Sequence, residues 1–378
     1  MADSVPPIPG SATRPPSLPG TEVAALDKHA CPACGAMANW NPAQKALVCP
    51  YCGAVSPVEL ASDGSVIKEH DLVAALRALP DEKKGWESDR VSVQCQSCKA
   101  ITLFEPGRVA QNCEFCGSPK IIPQSAVRAP IVPESVLPFV VAETKVREDL
   151  RRWYGSRWFA PNRLKVAALT DQVHGLYIPY WTFDAQVAAR WTAEAGYYYY
   201  ETERRGKTTQ QVRKVRWQRA SGALDHFFDD ELVPATQGVP GGLLAKVEPF
   251  ATQSLVPYDA GYVSGWVVEQ YQIDLVAAAQ SARARMDAAI RQLCSAQVPG
   301  DTQRNLQVEA DYSQQTFKHV LVPLWIVAYN YGSRTFQVLV NGQTGRIAGQ
   351  HPYSWVKIAF AILAALIVLM IILYIQGK

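Results

Sequence analysis

The chain has 378 residues, a length that predicts two or three domains, and its apolar content is ordinary for a globular protein. Its formal net charge of +3 is too small to indicate a nucleic-acid partner by itself. The N-terminus carries neither the basic segment nor the apolar core of a signal peptide, which argues against secretion by that route.

Residues 1–28 precede the first recognisable motif. The first twenty of them are rich in Pro, Ser and Gly and offer little that could form a core. We therefore expect a disordered arm here, with a proline-rich docking peptide as the alternative.

A cysteine pattern of the form C-x2-C-x14-C-x2-C occurs twice. Its members are Cys31, Cys34, Cys49 and Cys52 in the first copy, and Cys95, Cys98, Cys113 and Cys116 in the second. Two thiolates on a tight turn supply half of a tetrahedral zinc site, and a second such turn supplies the other half. The repeat predicts zinc ribbons at residues 29–57 and 91–122. Redox CxxC pairs and iron–sulfur ligation are the alternatives.

A closed four-thiolate site has no open position for a substrate, so we expect one structural Zn²⁺ in each ribbon. Thiolates of this kind, together with the ninth cysteine, Cys294, fit a reducing compartment. Because four cysteines already satisfy zinc, we expect the neighbouring His29 to lie at the surface. Residues 58–90 are predicted as a linker with a short helix at residues 70–79, which Pro80 ends.

An α+β domain is predicted over residues 123–354. Val146, Leu150 and Trp153 follow a helical period and indicate an amphipathic helix at residues 142–154. A longer helix is expected at 269–295, and Cys294 borders its buried stripe as a small hydrophobe. That stripe consists of Leu275, Ala279, Ala282, Met286, Ala289 and Leu293. Strands are expected at 175–188, 191–202, 210–217, 224–233, 305–311, 319–331, 335–340 and 345–348, with a loop at 238–242.

Two six-residue segments of this domain resemble each other. Residues 176–181 read LYIPYW and residues 320–325 read VLVPLW, each downstream of a predicted helix. The similarity suggests an internal duplication into two helix-plus-sheet units, with a chance match as the alternative. The proline inside each segment suggests an edge strand or a bulge.

The C-terminal segment, residues 355–378, is strongly apolar. Residues 358–375 contain no charge and would extend about 27 Å as a helix, close to the thickness of a bilayer core. Trp355 and Tyr374 stand at its ends like interfacial anchors, and Lys357 can snorkel. We therefore expect a single-pass, tail-anchored protein with its body in the cytoplasm, where thiols stay reduced.

A basic stretch without acidic residues occupies positions 204–219. Its cations are Arg204, Arg205, Lys207, Arg213, Lys214, Arg216 and Arg219. Near a membrane it could lie against anionic headgroups, and it could also grip a nucleic-acid backbone. A solvated hairpin is the third interpretation.

Several features fall short of a catalytic site. Residues 206–208 read GKT, but a phosphate-binding loop requires glycine at the position of Glu201. The acidic residues at 225–231 lack ligand spacing, and His174, His319 and His351 have no nucleophile motif nearby. We therefore predict that the protein is not an enzyme and takes no small-molecule substrate.

The paired ribbons, the segment at residues 176–185 and the apolar C-terminus together resemble a family of bacterial zinc-ribbon membrane proteins. Members of that family are often described as similar to primosomal protein N-prime, the replication-restart helicase. The ribbons also resemble those of general transcription factor B-type proteins. The resemblance implies zinc at the eight paired cysteines and supplies no catalytic residues. Helicase activity is not expected, because the chain lacks a complete nucleotide-binding loop.

These observations predict a cytoplasm-facing zinc-ribbon scaffold or adaptor that binds a protein partner at the membrane. The alternative is a membrane-tethered nucleic-acid-binding protein of replication or transcription, with the ribbons reading DNA or RNA.

Overall fold

The computed structural model describes residues 29–56, 67–78, 91–104, 112–123, 131–161, 173–205, 208–331 and 334–376, so the predicted arm at 1–28 lies outside it. The helices are α1 Leu72–Ala78, α2 Glu143–Gly155, α3 Gly241–Val247, α4 Leu275–Gln297 and α5 Trp355–Gln376. The strands are β1 Asn39–Asn41, β2 Ala46–Val48, β3 His70–Asp71, β4 Val91–Cys95, β5 Ile101–Phe104, β6 Ile121–Pro123, β7 Ser135–Val136, β8 His174–Arg205, β9 Thr208–Pro234, β10 Val256–Pro257, β11 Val267–Glu269, β12 Thr302–Tyr331, β13 Arg334–Asn341 and β14 Ile347–Gly349.

One large mixed sheet organises the described chain. Its main path runs β10-β7-β12-β8-β11-β5-β4-β6, while β9 pairs with β8, β13 with β12, β14 with β13, and β3 with β12. Strands β1 and β2 form a separate pair. The predicted α+β class, with two four-cysteine clusters and a C-terminal apolar helix, is confirmed.

The long strands differ from the prediction, which divided each of them in two. Strand β8 is continuous over 32 residues, β9 over 27 and β12 over 30. Where the pairing is irregular, the strand continues with a shift in register, for example between Ser313 and Thr316 of β12. Cross-strand pairing on both sides of β8 outweighs the local turn signals that suggested breaks.

Helix α4 begins six residues later than predicted, because residues 267–269 form strand β11. The Asp274 side chain caps the helix by accepting a hydrogen bond from the Ala277 backbone N–H at 2.9 Å. Its buried face is also rotated from the predicted stripe, since Leu293 is exposed. That face consists of Leu275, Ala278, Ala282, Met286, Ile290 and Cys294, which confirms that Cys294 is a buried hydrophobe.

The other local predictions were closer. Helix α2 matches its prediction within one residue, but Tyr154 takes the buried place assigned to Trp153. Helix α1 forms with Asp71 accepting a hydrogen bond from the Ala74 backbone N–H. The predicted loop at 238–242 is wrong in its second half, where Gly241 begins α3.

The two halves of the α+β region repeat the same arrangement. In each half a short strand, a helix and a long strand follow one another: β7, α2 and β8, then β11, α4 and β12. Strand β7 pairs in parallel with β12, and β11 pairs in parallel with β8, so each half contributes a strand beside the other. In the central order β7-β12-β8-β11, the two long strands therefore lie side by side, and each is flanked by the short strand of the other half.

The helix faces follow the same repeat. Val146, Leu150 and Tyr154 are buried in α2, and the residues 132 positions later, Ala278, Ala282 and Met286, are buried in α4. Agreement in strand pairing and helix register supports the internal duplication.

Pro179 and Pro323 lie in central strands and not at an edge, contrary to the prediction. On the outer side of β8, β11 pairs through Tyr177 and β9 begins pairing at Tyr180. Pro323 occupies the equivalent gap between β7 and β13 on β12. Each proline nitrogen therefore points to a gap between two neighbouring strands. Neither strand needs a backbone N–H from that position to complete its hydrogen bonds.

Helix α4 covers one face of the sheet where β8, β9 and β12 run side by side, burying residues such as Val187 and Trp191. Strand β12 begins at Thr302, opposite Gly196, so β8 and β9 continue beyond it as a two-stranded hairpin. The strands of the second ribbon join the same sheet through β5 and β11. The domain boundaries themselves stay predictions.

Candidate metal centres and membrane helix

The first cysteine set forms a compact group of four sulfur atoms. Cys31 Sγ lies 3.5 Å from Cys52 Sγ, and Cys34 Sγ lies 3.4 Å from Cys49 Sγ. All four sulfurs lie within 4.8 Å of one another. A tetrahedral zinc with Zn–S bonds of about 2.3 Å would hold its sulfurs about 3.8 Å apart. The separations are far longer than a disulfide bond and fit a four-thiolate metal site.

The second set has the same geometry. Cys95 Sγ lies 3.6 Å from Cys116 Sγ, and Cys98 Sγ lies 3.6 Å from Cys113 Sγ. The structure therefore brings together all eight predicted ligands, in the two predicted groups of four. The ninth cysteine, Cys294, is buried in α4 outside both groups.

Tight turns at the cysteine pairs point backbone amides at the sulfurs. Gly35, Gly53 and Gly117 adopt φ values between 68° and 73°, a conformation that glycine reaches without strain. In the first ribbon, the Cys52 backbone N–H donates to Cys49 and lowers the pKa of that thiol to about 6. Amide donors of this kind stabilise thiolates, which are the form that binds metal.

The base of the first ribbon is built into the protein core. The Trp40 indole N–H donates to the Phe139 carbonyl oxygen at 3.2 Å, and the Ser264 hydroxyl donates to the Ala38 carbonyl oxygen at 2.7 Å. His29 is also buried here, 3.5 Å from an Asp259 carboxylate oxygen. The prediction of a surface histidine was wrong, because the ribbon docks on the body on the side that carries His29.

The second ribbon is continuous with the large sheet. Its strand β5 pairs with β11, and the Gln337 side chain donates to the Phe115 carbonyl oxygen at 2.5 Å. Phe115 is fully buried, and a Cβ atom added to Gly238 would lie only 2.9 Å from its ring. The turn between Cys113 and Cys116 therefore faces protein, whereas Gln96 and Ser97 of the other turn are exposed.

Glu269 is a buried carboxyl beside the second ribbon that the sequence did not single out. It accepts a hydrogen bond from the Thr236 hydroxyl at 2.7 Å and one from the Gln272 amide at 3.1 Å. No ion pair of Glu269 occurs among the described residues. Burial raises the pKa of Glu269 to about 8.

The two ribbons differ in what their turns expose. In the first ribbon Cys34 and Cys52 are exposed, and Tyr51, between the second pair of cysteines, is 83% exposed. Met37 and Val55, each three residues after the second cysteine of a pair, are also exposed. The equivalent residues of the second ribbon, Phe115 and Cys116, lie inside or partly inside the core. The first ribbon thus exposes three apolar side chains, Met37, Tyr51 and Val55, which we call its apolar tip.

Helix α5 is long and apolar enough to cross a membrane. Its 22 residues rise about 33 Å, and Lys357 is the single charged residue among them. None of its residues is buried, so its apolar side chains find no cover in the described protein. A soluble protein would normally bury such a helix.

The predicted basic stretch does not form one surface. Side chains alternate along β9, so Arg213 and Arg219 lie on one face of the hairpin while Lys214 and Arg216 lie on the other. Arg204 of β8 shares the Arg213 face. The Arg205 side chain and all of Lys207 fall outside the described residues, as does the glycine of the GKT segment.

The charges of this stretch are partly satisfied within the hairpin. Lys214 Nζ lies 2.6 Å from carboxylate oxygens of both Glu201 and Glu203, and these hydrogen bonds raise the pKa of Lys214. The Arg213 guanidinium stacks on Tyr198, 4.4 Å from the ring centre. The hairpin also stands beyond the N-terminal end of β12, whereas the chain enters α5 near Tyr329 at the opposite end of that strand. The predicted lipid- or nucleic-acid-binding role stays a prediction.

Asp184 joins Asp229 and Asp230 of the acidic stretch at 225–231 in one group, which the sequence did not indicate because Asp184 is distant along the chain. The Lys318 ammonium lies 2.7 Å from Asp230 and offsets part of the negative charge of the group. His319, the next residue of β12, is buried against Trp181, and burial lowers its pKa to about 4, so its ring is neutral. The ion pair with Lys318 gives Asp230 a structural role.

Comparison with known proteins finds a distant relative. The chain is similar to the uncharacterised protein YdjG of Bacillus subtilis (strain 168). The two are 25% identical over 234 residues, which is 61% of this chain and 66% of that protein. No protein-family profile matches the chain, and no solved structure matches it significantly. The match supports common ancestry with a protein whose own role is open.

Proposed function

We propose that the protein is a membrane-anchored adaptor in which the first zinc ribbon binds a protein partner. Helix α5 holds the chain in the membrane as a tail anchor, with the body in the cytoplasm. Each cysteine set holds one structural zinc ion. The second ribbon serves as part of the scaffold, because Phe115 on one of its turns is packed in the core.

The apolar tip of the first ribbon is the observation that supports this proposal most strongly. Tyr51 is exposed on the turn between Cys49 and Cys52, and Val55 is exposed where it pairs with Val48 of β2. A rigid, exposed aromatic residue with apolar neighbours is typical of the centre of a protein–protein interface. A purely structural ribbon would be expected to bury this residue, as the second ribbon buries Phe115.

A variant at the tip tests the proposal. The full-length protein, solubilised from membranes after cross-linking, should retain its partner, and Tyr51→Ser should reduce the amount retained at least tenfold. Tyr199→Ser is the matched control, since Tyr199 is another exposed tyrosine, on the hairpin. Both variants should keep two zinc ions per chain. Equal retention by wild type and Tyr51→Ser would contradict the proposal.

Nucleic-acid binding by the hairpin is the second candidate. One observation favours it: arginines and aromatic rings alternate on the face that carries Arg213, where Arg304 also stacks on Trp217 at 4.1 Å. Alternating cations and rings suit the backbone and bases of a single strand. Oligonucleotide binding that weakens steeply as salt rises would support this candidate.

A further inference from the structure

A short loop beside the membrane helix carries two exposed aromatic residues. Trp158 is 81% exposed and Phe159 is 42% exposed, at the C-terminal end of α2. The flanking residues Tyr154 and Ala160 are both buried in the hydrophobic core that also contains Leu150 of α2 and Trp325 of β12. The loop is therefore fixed on either side of the two aromatic side chains, which project outward from an ordered backbone.

The same loop is bonded to the first turn of α5. The Lys357 ammonium donates to the Ala160 carbonyl oxygen at 2.7 Å and to the Trp158 carbonyl oxygen at 3.2 Å. The Ser354 backbone N–H donates to the Phe159 carbonyl oxygen at 2.7 Å. These three bonds place residues 158–160 level with the point where α5 begins.

That level is the polar interface of the bilayer if α5 spans it. A lysine ammonium is costly to place in hydrocarbon, so Lys357 holds its first turn at the headgroups. Tryptophan and other aromatic side chains concentrate at this depth. Trp355, 81% exposed, and Tyr353, also exposed, already stand there on the helix side.

We propose that Trp158 and Phe159 insert into the lipid headgroup region of the leaflet that α5 enters. With Tyr353 and Trp355 they form an aromatic collar around the start of the helix. The inference rests on the membrane anchoring in the proposed function and adds a second point of contact. Two contacts bonded to each other restrict how the body can tilt on the membrane. The loop, and not the distant basic hairpin, is then the part of the body that meets lipid.

Tryptophan quenching in vesicles tests this insertion. The full-length protein is reconstituted in phosphatidylcholine–phosphatidylglycerol vesicles whose lipids carry bromine near the glycerol backbone. The chain has ten tryptophans, so each contribution is measured as a difference between wild type and a Trp→Phe variant. Trp158→Phe should remove a quenched component about as large as the one that Trp355→Phe removes. Trp217→Phe, on the hairpin, should remove none.

The two Trp→Phe variants distinguish insertion of the loop from membrane anchoring by α5. If Trp355→Phe loses quenching and Trp158→Phe does not, the helix is anchored but the loop stays in water, and the inference fails. If neither variant loses quenching, the membrane anchoring fails as well. Partner retention through Tyr51 is measured independently and does not change with Trp158→Phe. Trp158 is mostly exposed, so this variant is expected to fold.

Discussion

The Trp266 indole N–H donates a hydrogen bond to the Trp40 carbonyl oxygen, 3.2 Å away. Trp40 belongs to β1 of the first ribbon, and Trp266 directly precedes β11 in the sheet. The Phe139 ring stacks on Trp266 at 4.3 Å between ring centres and joins both residues to the core. The first ribbon is therefore fixed at its base, although its tip is open to solvent.

The sulfur geometry predicts two independent metal sites. Cys34→Ser should reduce the zinc content from two ions to one, because each set of four ligands is local. Cys294→Ala is the matched control and should retain both ions, since Cys294 lies in α4. Elemental analysis of the purified protein measures the number of zinc ions per chain. Loss of both ions in Cys34→Ser would show that the two sites depend on each other.

The bonds at Trp40 predict unequal costs for two substitutions. Trp40→Ala should lower the free energy of unfolding by about 3–5 kcal/mol, because it leaves a cavity and removes the Phe139 bond. Trp266→Phe should cost about 1 kcal/mol, since it mainly removes one hydrogen bond. Thermal unfolding in detergent measures which of the two variants is less stable. A smaller effect for Trp40→Ala would mean that the ribbon does not depend on this contact.

The sequence was informative where one local pattern decides the structure. Cysteine spacing identified both ligand sets, and the long uncharged run identified α5, because both signals are contained within short segments. The two similar proline-containing segments indicated the duplication. That each half pairs its short strand with the long strand of the other half is visible only in the β7–β12 and β8–β11 pairings. The burial of His29 and Glu269 could not be predicted, because each depends on packing between segments far apart in the chain.

Close packing at Gly238 predicts a specific effect on the second ribbon. Gly238→Ala would bring a methyl group within 2.7 Å of Ala100 and 2.9 Å of Phe115, so one partner must move. We expect a loss of about 1–3 kcal/mol and faster release of one zinc ion to a chelator. Gly242→Ala is the control, because no atom lies within 4 Å of its added Cβ. Equal chelation rates for both variants would contradict this packing argument.

The raised pKa of Glu269 predicts that stability falls as pH rises. The folded state holds this proton up to about pH 8, whereas a free glutamate releases it near pH 4.5. Between these values the folded state binds more protons than the unfolded state, so the free energy of unfolding decreases from about pH 4.5 to pH 8. Glu269→Gln removes this dependence. Unfolding temperatures at pH 5 and pH 8 should therefore differ less in the variant than in the wild type.

The alternation of charges on the hairpin predicts that its two faces bind differently. Arg213 and Arg219 share one face with Trp217, while Lys214 and Arg216 share the other, where Glu201 and Glu203 already pair with Lys214.

If the aromatic face binds single-stranded nucleic acid, Arg213→Glu with Arg219→Glu should weaken binding at least tenfold. Lys214→Glu with Arg216→Glu reverses the same number of charges on the other face and should weaken it far less. Fluorescence anisotropy with a labelled oligonucleotide, at two salt concentrations, measures both variants. Equal losses would mean that the hairpin acts only through its net charge, and no binding by the wild type would leave a solvated hairpin.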